Sequence, residues 1–455
     1  MGRITNDINL DELLEDIRYL IKNEQTSFIM TIIADLHPAD IAEVMSHLND
    51  EERRSIFSLL PPDMASEVLV ELEENVKEDV LEGLDAQQIA EMVQGMDSDD
   101  AADLVSDLPV EQASEVMDNI KGPDYHEIQE LLRYPEDSAG GIMAKEYVSV
   151  NVNSTVQEAI SEIRDKYHEV EDLYHCFVVD DFGTLVGRIS LRKLILSKPD
   201  TRVRDIMDQD VMSIDSDVDQ EEVARIFKKY DMVAAPVVNK RHKLIGRITI
   251  DDIVDVIGEE IDEDLGRIAG TGEEGVLEDS VLQISRARLP WLILSFVGEI
   301  LSAFIMLNFE GTIQQIIAST FFIPLIMAIG GSVGQQSSII VVRGLATGEI
   351  GLFDTRRRLR REISVAVLNG AVLAVLIFFV ILIWNNDYHF GLILSCALII
   401  IILNASTFGA VIPLLFKKIQ VDPALATGPF VATFNDVVGL MIYFGLLSLG
   451  FTYFM

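Results

Sequence analysis

Five apolar stretches, at about 289–309, 313–342, 363–384, 390–416 and 427–454, take up nearly all of the C-terminal part of this chain. Each reaches the ~20 residues that a helical membrane span needs. Backbone in hydrocarbon must satisfy its own hydrogen bonds, so five transmembrane helices are the expected fold of this part. The basic residues give these helices a direction. From residue 286 onward they are Arg286, Arg288, Arg343, Arg356, Arg357, Arg358, Arg360, Arg361, Lys417 and Lys418. They flank the start of the first stretch, the connection between the second and third, and the connection between the fourth and fifth. The connections near Glu310 and at "WNNDYHFG" carry none. Basic residues mark the cytoplasmic side, which predicts a cytoplasmic N-terminus and an outer C-terminus. "RRRLRR" (356–361) reads as part of that signal, with anionic-lipid contact as a second role.

The preceding part has a different composition. Residues 1–285 hold 66 of the 74 acidic residues and 25 of the 35 basic ones, a net charge near −41 against about +2 for the rest. Such a surface repels phosphates, which excludes nucleic acid as a partner. It suits a soluble part that meets cations, with general solubility as the plain alternative. The two cysteines, Cys176 and Cys396, form no disulfide framework. The opening "MGRITNDINLDELLEDIRYL" has no apolar signal-peptide core, so the acidic part is expected to stay in the cytoplasm, beside the plasma (inner) membrane.

Two internal duplications organise the acidic part. In residues 1–135, "LHPADIAEVMSHL" from Leu36 recurs with period 24 at Leu60, Leu84 and Leu108, and related units at Leu48, Leu72 and Met96 halve the period. Each unit opens on a capping turn and continues with apolar residues at helical spacing, which predicts an all-α superhelical N domain. In residues 138–257, "IMAKEYVSVNVNSTVQEAI" is echoed by "IMDQDVMSIDSDVDQEEVARI", and "CFVVDDFGTLVGRISLRKLI" by "APVVNKRHKLIGRITIDDIV". Each copy reads strand, helix, strand, turn, strand, helix. This α+β segment resembles a tandem pair of cystathionine-β-synthase (CBS) domains, regulatory modules of which some bind adenine nucleotides such as ATP. The family's ribose-binding pattern falls on Gly246, Thr249 and Asp252 in the second copy; the first has Ser190 but Lys193 at the acidic position. Capping of the helix that starts near Asp251 accounts for the same residues equally well. Residues 258–285 are acidic and are expected to form a connecting helix.

Three features of the apolar part are not explained by lipid. Asp436 stands inside the last stretch, where a charge costs at least ~2.5–3.5 kcal/mol and usually faces a bundle interior or water. "IPLIMAIGGSVGQQSS" (323–338) gathers Pro324, Gly330, Gly331, Gly334, Gln335 and Gln336 in the second stretch. That composition fits either a broken helix lining an ion path or close packing of small residues. Glu299 lies in the first stretch, facing a pore or a partner. No enzyme constellation stands out: the seven histidines are scattered without metal-ligand spacing, and there is no Gly-rich phosphate loop.

The blocks "YPEDSAGGIM", "DQEEVARIFKKYD", "RGLAT", "VDPALATGP" and "ATFNDVVGL", with the Gly-Gly-x-x-Gly-x-Gln run at 330–336, resemble the MgtE family of magnesium channels and transporters. The order of parts is also that family's: a helical N domain (1–135), a CBS pair (138–257), a plug helix (258–285) and a five-span pore domain (286–455). The resemblance implies a homodimer whose pore follows the two-fold axis, with Asp436 of both copies selecting hydrated Mg²⁺. Gly331, Gly334, Gln336, Asn435, Pro324 and Gly428 would shape the path. It also implies regulatory Mg²⁺ on Glu67, Asp99, Asp103, Asp219, Glu221, Asp231, Asp252, Asp255, Glu260, Glu263 and Asp264, closing the pore when cytosolic Mg²⁺ is high. Ser332, Gly428 and Glu299 depart from the family's usual residues. Transport of another divalent cation (Co²⁺, Mn²⁺) and a non-conducting Mg²⁺ sensor are the alternative functions.

Overall fold

A computed structural model describes residues 10–23, 25–166, 173, 175–269, 281–346, 355–419 and 421–454. It divides into two compact units, 1–260 and 261–455.

The first unit opens with ten helices: α1 (Leu10–Lys22), α2 (Thr26–Ile33), α3 (Pro38–Ser46), α4 (Asp50–Phe57), α5 (Pro62–Val70), α6 (Glu74–Leu81), α7 (Ala86–Val93), α8 (Ser98–Asp107), α9 (Val110–Asn119) and α10 (Asp124–Leu131). From α3 on, one helix starts about every 12 residues, as the repeat predicts. The turns stop each helix early and restart the next. His37, Asn49 and Asp85 each accept a backbone N–H in a capping box, and proline opens α3 and α5. Helices pack against the next but one (α3 on α5, α5 on α7, α7 on α9, and α4 on α6, α8 on α10), which explains why the stronger period is 24.

The CBS pair follows. The first copy runs β1 (Ser149–Asn151), α11 (Val156–Asp165), β2 (His175–Val179), β3 (Leu185–Ser190), α12 (Leu191–Leu196). After the short α13 (Val203–Ile206), the second copy runs β4 (Ile214–Asp215), α14 (Gln220–Tyr230), β5 (Ala234–Val238), β6 (Leu244–Thr249) and α15 (Ile250–Ala269). Each sheet pairs its first two strands in parallel and its last two antiparallel, with a register irregularity at Val178/Val179 and at Val237/Val238. The copies exchange backbone. Ala144, ahead of β1 in the first copy, trades both hydrogen bonds with Arg247 of β6, and Asp208, ahead of β4 in the second, does the same with Arg188 of β3. Met143 and Met207 lie over Gly246 and Gly187; a Cβ on Gly246 would stand 2.7 Å from Met143 Sδ, and one on Gly187 would stand 3.0 Å from Met207 Sδ. The main core cluster of this unit joins the helical repeat to the second copy through Ala139, Met143, Val223 and Phe227.

In the second unit, α16 (Val281–Asn308), α17 (Glu310–Gln315), a 3₁₀ turn (Ile317–Phe322), α18 (Ile323–Ala346), α19 (Thr355–Asn385), α20 (Tyr388–Lys418) and α21 (Gly428–Phe454) follow, with a second 3₁₀ turn at Pro423–Ala426 before α21. Five of these helical segments are long and apolar enough to cross a membrane. α20 is the most buried of them, packed between α18, α19 and α21, while α16 lies on α21. Tyr443, fully buried on α21, donates its hydroxyl to the Ser319 carbonyl (2.8 Å) and fixes the first 3₁₀ turn.

Two expectations are sharpened. The second span is not broken within 323–346: Pro324 sits in the first turn of α18, where a missing N–H does no harm, and the glycines lie in continuous helix. The expected boundary at 257/258 falls inside α15, which continues to Ala269 with no interruption. Residues 270–280 of the expected connecting helix lie outside the described residues.

Candidate cation sites

The N-terminus of α8 concentrates carboxylates. Asp97 precedes the helix, and Asp99, Asp100, Asp103 and Asp107 follow within it. Acids suit this end, since unpaired N–H groups and the helix dipole favour negative charge. Here, however, they are packed rather than solvated. Asp99 is only 7% exposed, and its carboxylate oxygens come within 4.8 Å of those of Asp97 and Glu146. Ser98 holds this arrangement: its hydroxyl donates to Glu146 Oε2 (2.8 Å) and accepts from the Lys145 N–H (2.8 Å). Burial first, and then the Asp252, Asp100, Asp97 and Glu146 carboxylates, push Asp99 well above the usual carboxylate range. Burial, then Asp252 and Asp97, raise Asp100 to about 7. Asp103 reaches about 7 through burial, Asp107, Glu259 and Glu136, and Asp107 about 6 through burial and Glu74; Lys77 opposes both shifts. Acids in such numbers, answered by Lys77 and by Arg247 at 3.9 Å from Asp97, hold together best with a hard cation among them. Three carboxylate oxygens at this spacing match what Mg²⁺ or Ca²⁺ accepts.

The structure brings Asp99 and Asp252 together, and adds Asp97, Asp100 and Glu146, which sequence reasoning missed. Asp103 is joined by Asp107, Glu136 and Glu259, also missed. Asp97 and Asp100 had a visible signal, the run "DSDD"; Glu146 had none, because only packing brings it near. Asp255 is raised by burial, Glu71 and Asp251. Glu260 accepts from Gln220 Nε2 (2.9 Å). Asp219 caps α14 by accepting the Glu221 N–H (3.0 Å), and Asp231 ends that helix in a left-handed conformation, φ 49°. Glu67 and Glu221 are exposed, and Asp264 is half-buried. Glu263 pairs with Arg267, which also pairs with Asp422 at the cap of the 3₁₀ turn before α21.

Of the nucleotide pattern, Asp252 accepts both the N–H and the hydroxyl of Thr249 (2.8 Å each), and Gly246 is needed where Met143 and the Ala144 carbonyl approach. The capping role is therefore the one observed.

In the second unit Asp436 is half-buried on α21, and the acid beside it is Glu299 on α16. Asn435 beside it is 2% exposed, and neither amide atom has a hydrogen-bond partner among the described residues. Its side chain presses on Gly334, where a Cβ would stand 1.9 Å from Asn435 Nδ2. Pro324, Ser332 and Gln336 are exposed at helical spacing along one face of α18, and Gly331 has open space around it. Gly428 starts α21 at φ +52°, with the Ile268 carbonyl 2.6 Å from where a Cβ would be. Glu362, buried on α19, is treated differently: Arg358 Nη2 (2.6 Å), Ser337 Oγ (3.1 Å) and Ser406 Oγ (3.4 Å) all donate to it.

Five membrane-length helices, with a carboxylate pair inside them and a soluble unit that collects acids, define a multi-pass membrane transporter of divalent cations. Residues 323–446 match the family model described as a divalent cation transporter, 36–137 the MgtE intracellular N domain, and 139–198 and 203–259 the CBS domain. The chain is 32% identical to the magnesium transporter MgtE of Bacillus subtilis over 445 residues, covering 98% of this chain and 99% of the relative. It is 34% identical to that of Thermus thermophilus over 444 residues, covering 96% and 98%. The solved cytosolic domain of the Mg²⁺ channel MgtE in complex with ATP superposes with a TM-score of 0.51 at 33% identity, over 53% of this chain and 99% of that one. This chain belongs to the MgtE family. It is a transporter and not an enzyme: an inosine-5'-monophosphate dehydrogenase of Methanocaldococcus jannaschii is similar over only 28% of the chain, through CBS domains.

Proposed function

We propose that the chain is a Mg²⁺-selective channel for magnesium uptake, working as a homodimer in the plasma membrane with its N-terminus in the cytoplasm and its C-terminus outside. The observation that carries this reading is Asp436, a mid-span carboxylate whose ionisable neighbour among the described residues is another acid, Glu299. Two copies would present this group to a common water-filled path, bordered by the exposed α18 face with Pro324, Gly331, Ser332 and Gln336. Gly334 and Asn435 would set the spacing of α18 and α21, and Gly428 the entry to α21. Mg²⁺ sheds water reluctantly, so facing carboxylates would hold the hydrated ion through its waters.

The four parts then have separate tasks: 1–135 and 138–257 sense, 258–285 connects, and 286–455 conducts. Mg²⁺ among Asp97, Asp99, Asp100, Asp103, Glu146 and Asp252, with Asp255, Glu260 and the other proposed regulatory acids, would relieve repulsion and favour the closed state. By linkage, an ion that binds the closed state better shifts the population toward it. A nucleotide such as ATP would bind at the second CBS copy beside Thr249 and Asp252.

Flux into vesicles holding the purified protein tests the reading, with Mg²⁺, Mn²⁺, Co²⁺ and Ca²⁺ offered in turn. Mg²⁺ flux that Asp436→Asn abolishes supports it. Preference for Co²⁺ or Mn²⁺ would make it a transporter of another cation, and no flux of any ion would make it a sensor.

A further inference from the structure

Glu299 stands past the middle of α16. It lies within the first membrane span, where its neighbours Phe296, Ile300 and Leu301 are apolar and exposed. A carboxylate among such residues would face lipid at a cost of several kcal/mol unless water or another polar surface covers it. Its position is not accidental to the packing. One residue earlier, Gly298 is buried against Thr433 so closely that a Cβ would stand 1.8 Å from Thr433 Cγ2. The crossing of α16 and α21 is therefore pinned at Gly298 and Thr433, which holds Glu299, one residue on along α16, within about a helical turn of Asp436, three residues on along α21. No Lys or Arg follows Arg288 before Arg343, so neither α16 beyond its first turns nor the loop after it can supply a neutralising base. Glu362 shows what a structural acid in this unit looks like: buried, and met by one guanidinium and two hydroxyls. Glu299 has instead an exposed side and an acid for a partner.

We propose that Glu299 is a specificity-determining carboxylate of the ion path, acting with Asp436 as one divalent-cation site. This rests on the reading that Asp436 lines the path. A two-copy path would then carry four carboxylates at this level. A second carboxylate per copy strengthens the preference for a dication over a monovalent ion, because attraction scales with the charge of the ion.

The test is Na⁺ current through the full-length protein in divalent-free solution, blocked by added Mg²⁺. Glu299→Gln is expected to raise the half-blocking Mg²⁺ concentration roughly tenfold, and Glu299→Asp to recover part of the loss. Asp436→Asn is run beside them. If Asp436→Asn leaves block and Mg²⁺ flux unchanged, the reading of the path fails, and this inference with it. If Asp436→Asn removes block while Glu299→Gln keeps the parent value, the inference alone is overturned. A second measurement covers a poorly folding glutamine variant. Glu299→Cys, in a background with Cys176 and Cys396 replaced by serine, should react with a charged, membrane-impermeant thiol reagent and be protected by Mg²⁺. Absence of reaction, or reaction that Mg²⁺ does not slow, overturns it.

Discussion

Glu362 and Asp436 are both carboxylates within the membrane unit, and the chain surrounds them in opposite ways. Glu362 receives Arg358, Ser337 and Ser406 from three helices, so its charge is answered by the protein itself. Asp436 receives another acid. The acids at the start of α8 follow the second pattern in a soluble setting, with Lys77 as the base that opposes the shifts of Asp100, Asp103 and Asp107. The difference separates charge used to hold helices together from charge left for something mobile to neutralise.

Substitution at the two membrane acids is the strongest way to break this comparison. Asp436→Ala should lower Mg²⁺ flux by roughly a hundredfold, equivalent to about 2.7 kcal/mol, with the melting temperature unchanged or higher. Glu362→Ala should do the reverse. It strands Arg358, which costs about 3–5 kcal/mol and lowers the melting temperature by several degrees, while folded protein still conducts. Equal loss of flux and stability in both variants would erase the distinction.

The soluble acids predict an unusual pH response. Asp100 at about 7 and Asp107 at about 6 lie above an unfolded aspartate's ~3.9. The folded form therefore holds more protons than the unfolded one from about pH 4 to pH 7, and stability falls as pH rises through that window. In chelator, the full-length protein in detergent should melt roughly 5 °C lower at pH 8 than at pH 5, and millimolar Mg²⁺ should remove most of the difference. A flat profile in chelator would mean that these acids are solvated. Asp99→Asn with Asp103→Asn should raise the Mg²⁺ concentration that protects residues 258–285 from protease by about tenfold. The smallest effect is expected at Arg267→Ala, which frees Glu263 and Asp422; a two- to threefold weaker closure by Mg²⁺, read in flux, fits one partly exposed ion pair.

How far the sequence revealed these sites depended on the range of the signal. Asp436 was visible because one charge in an apolar run has no local excuse. The period of 12 became helices starting every 12 residues, because each turn carries its own cap. Glu362 was not visible: it sits beside "RRRLRR" and passes for a surface residue until α18 and α20 close over it. Glu146 joins Asp97 and Asp99 from about 50 residues away, a meeting that depends on the packing of α8 against the segment before β1. The glycine-rich stretch allows two readings in the sequence; the continuity of α18 and the contacts of Gly334 with Asn435 and Gly409 decide for close packing. Glu299 stands out in the sequence as a lone acid in an apolar run, but the acid it adjoins lies 137 positions along the chain.

The exchanged backbone of the CBS pair has a consequence for heredity. Ala144 closes the second copy's sheet and Asp208 closes the first, so each copy borrows an edge from the segment that introduces the other. A gene fragment encoding one copy alone would specify a sheet with an open edge and an uncovered glycine. Recombination can therefore move this module between proteins intact, as a pair, and selection would discard the halves.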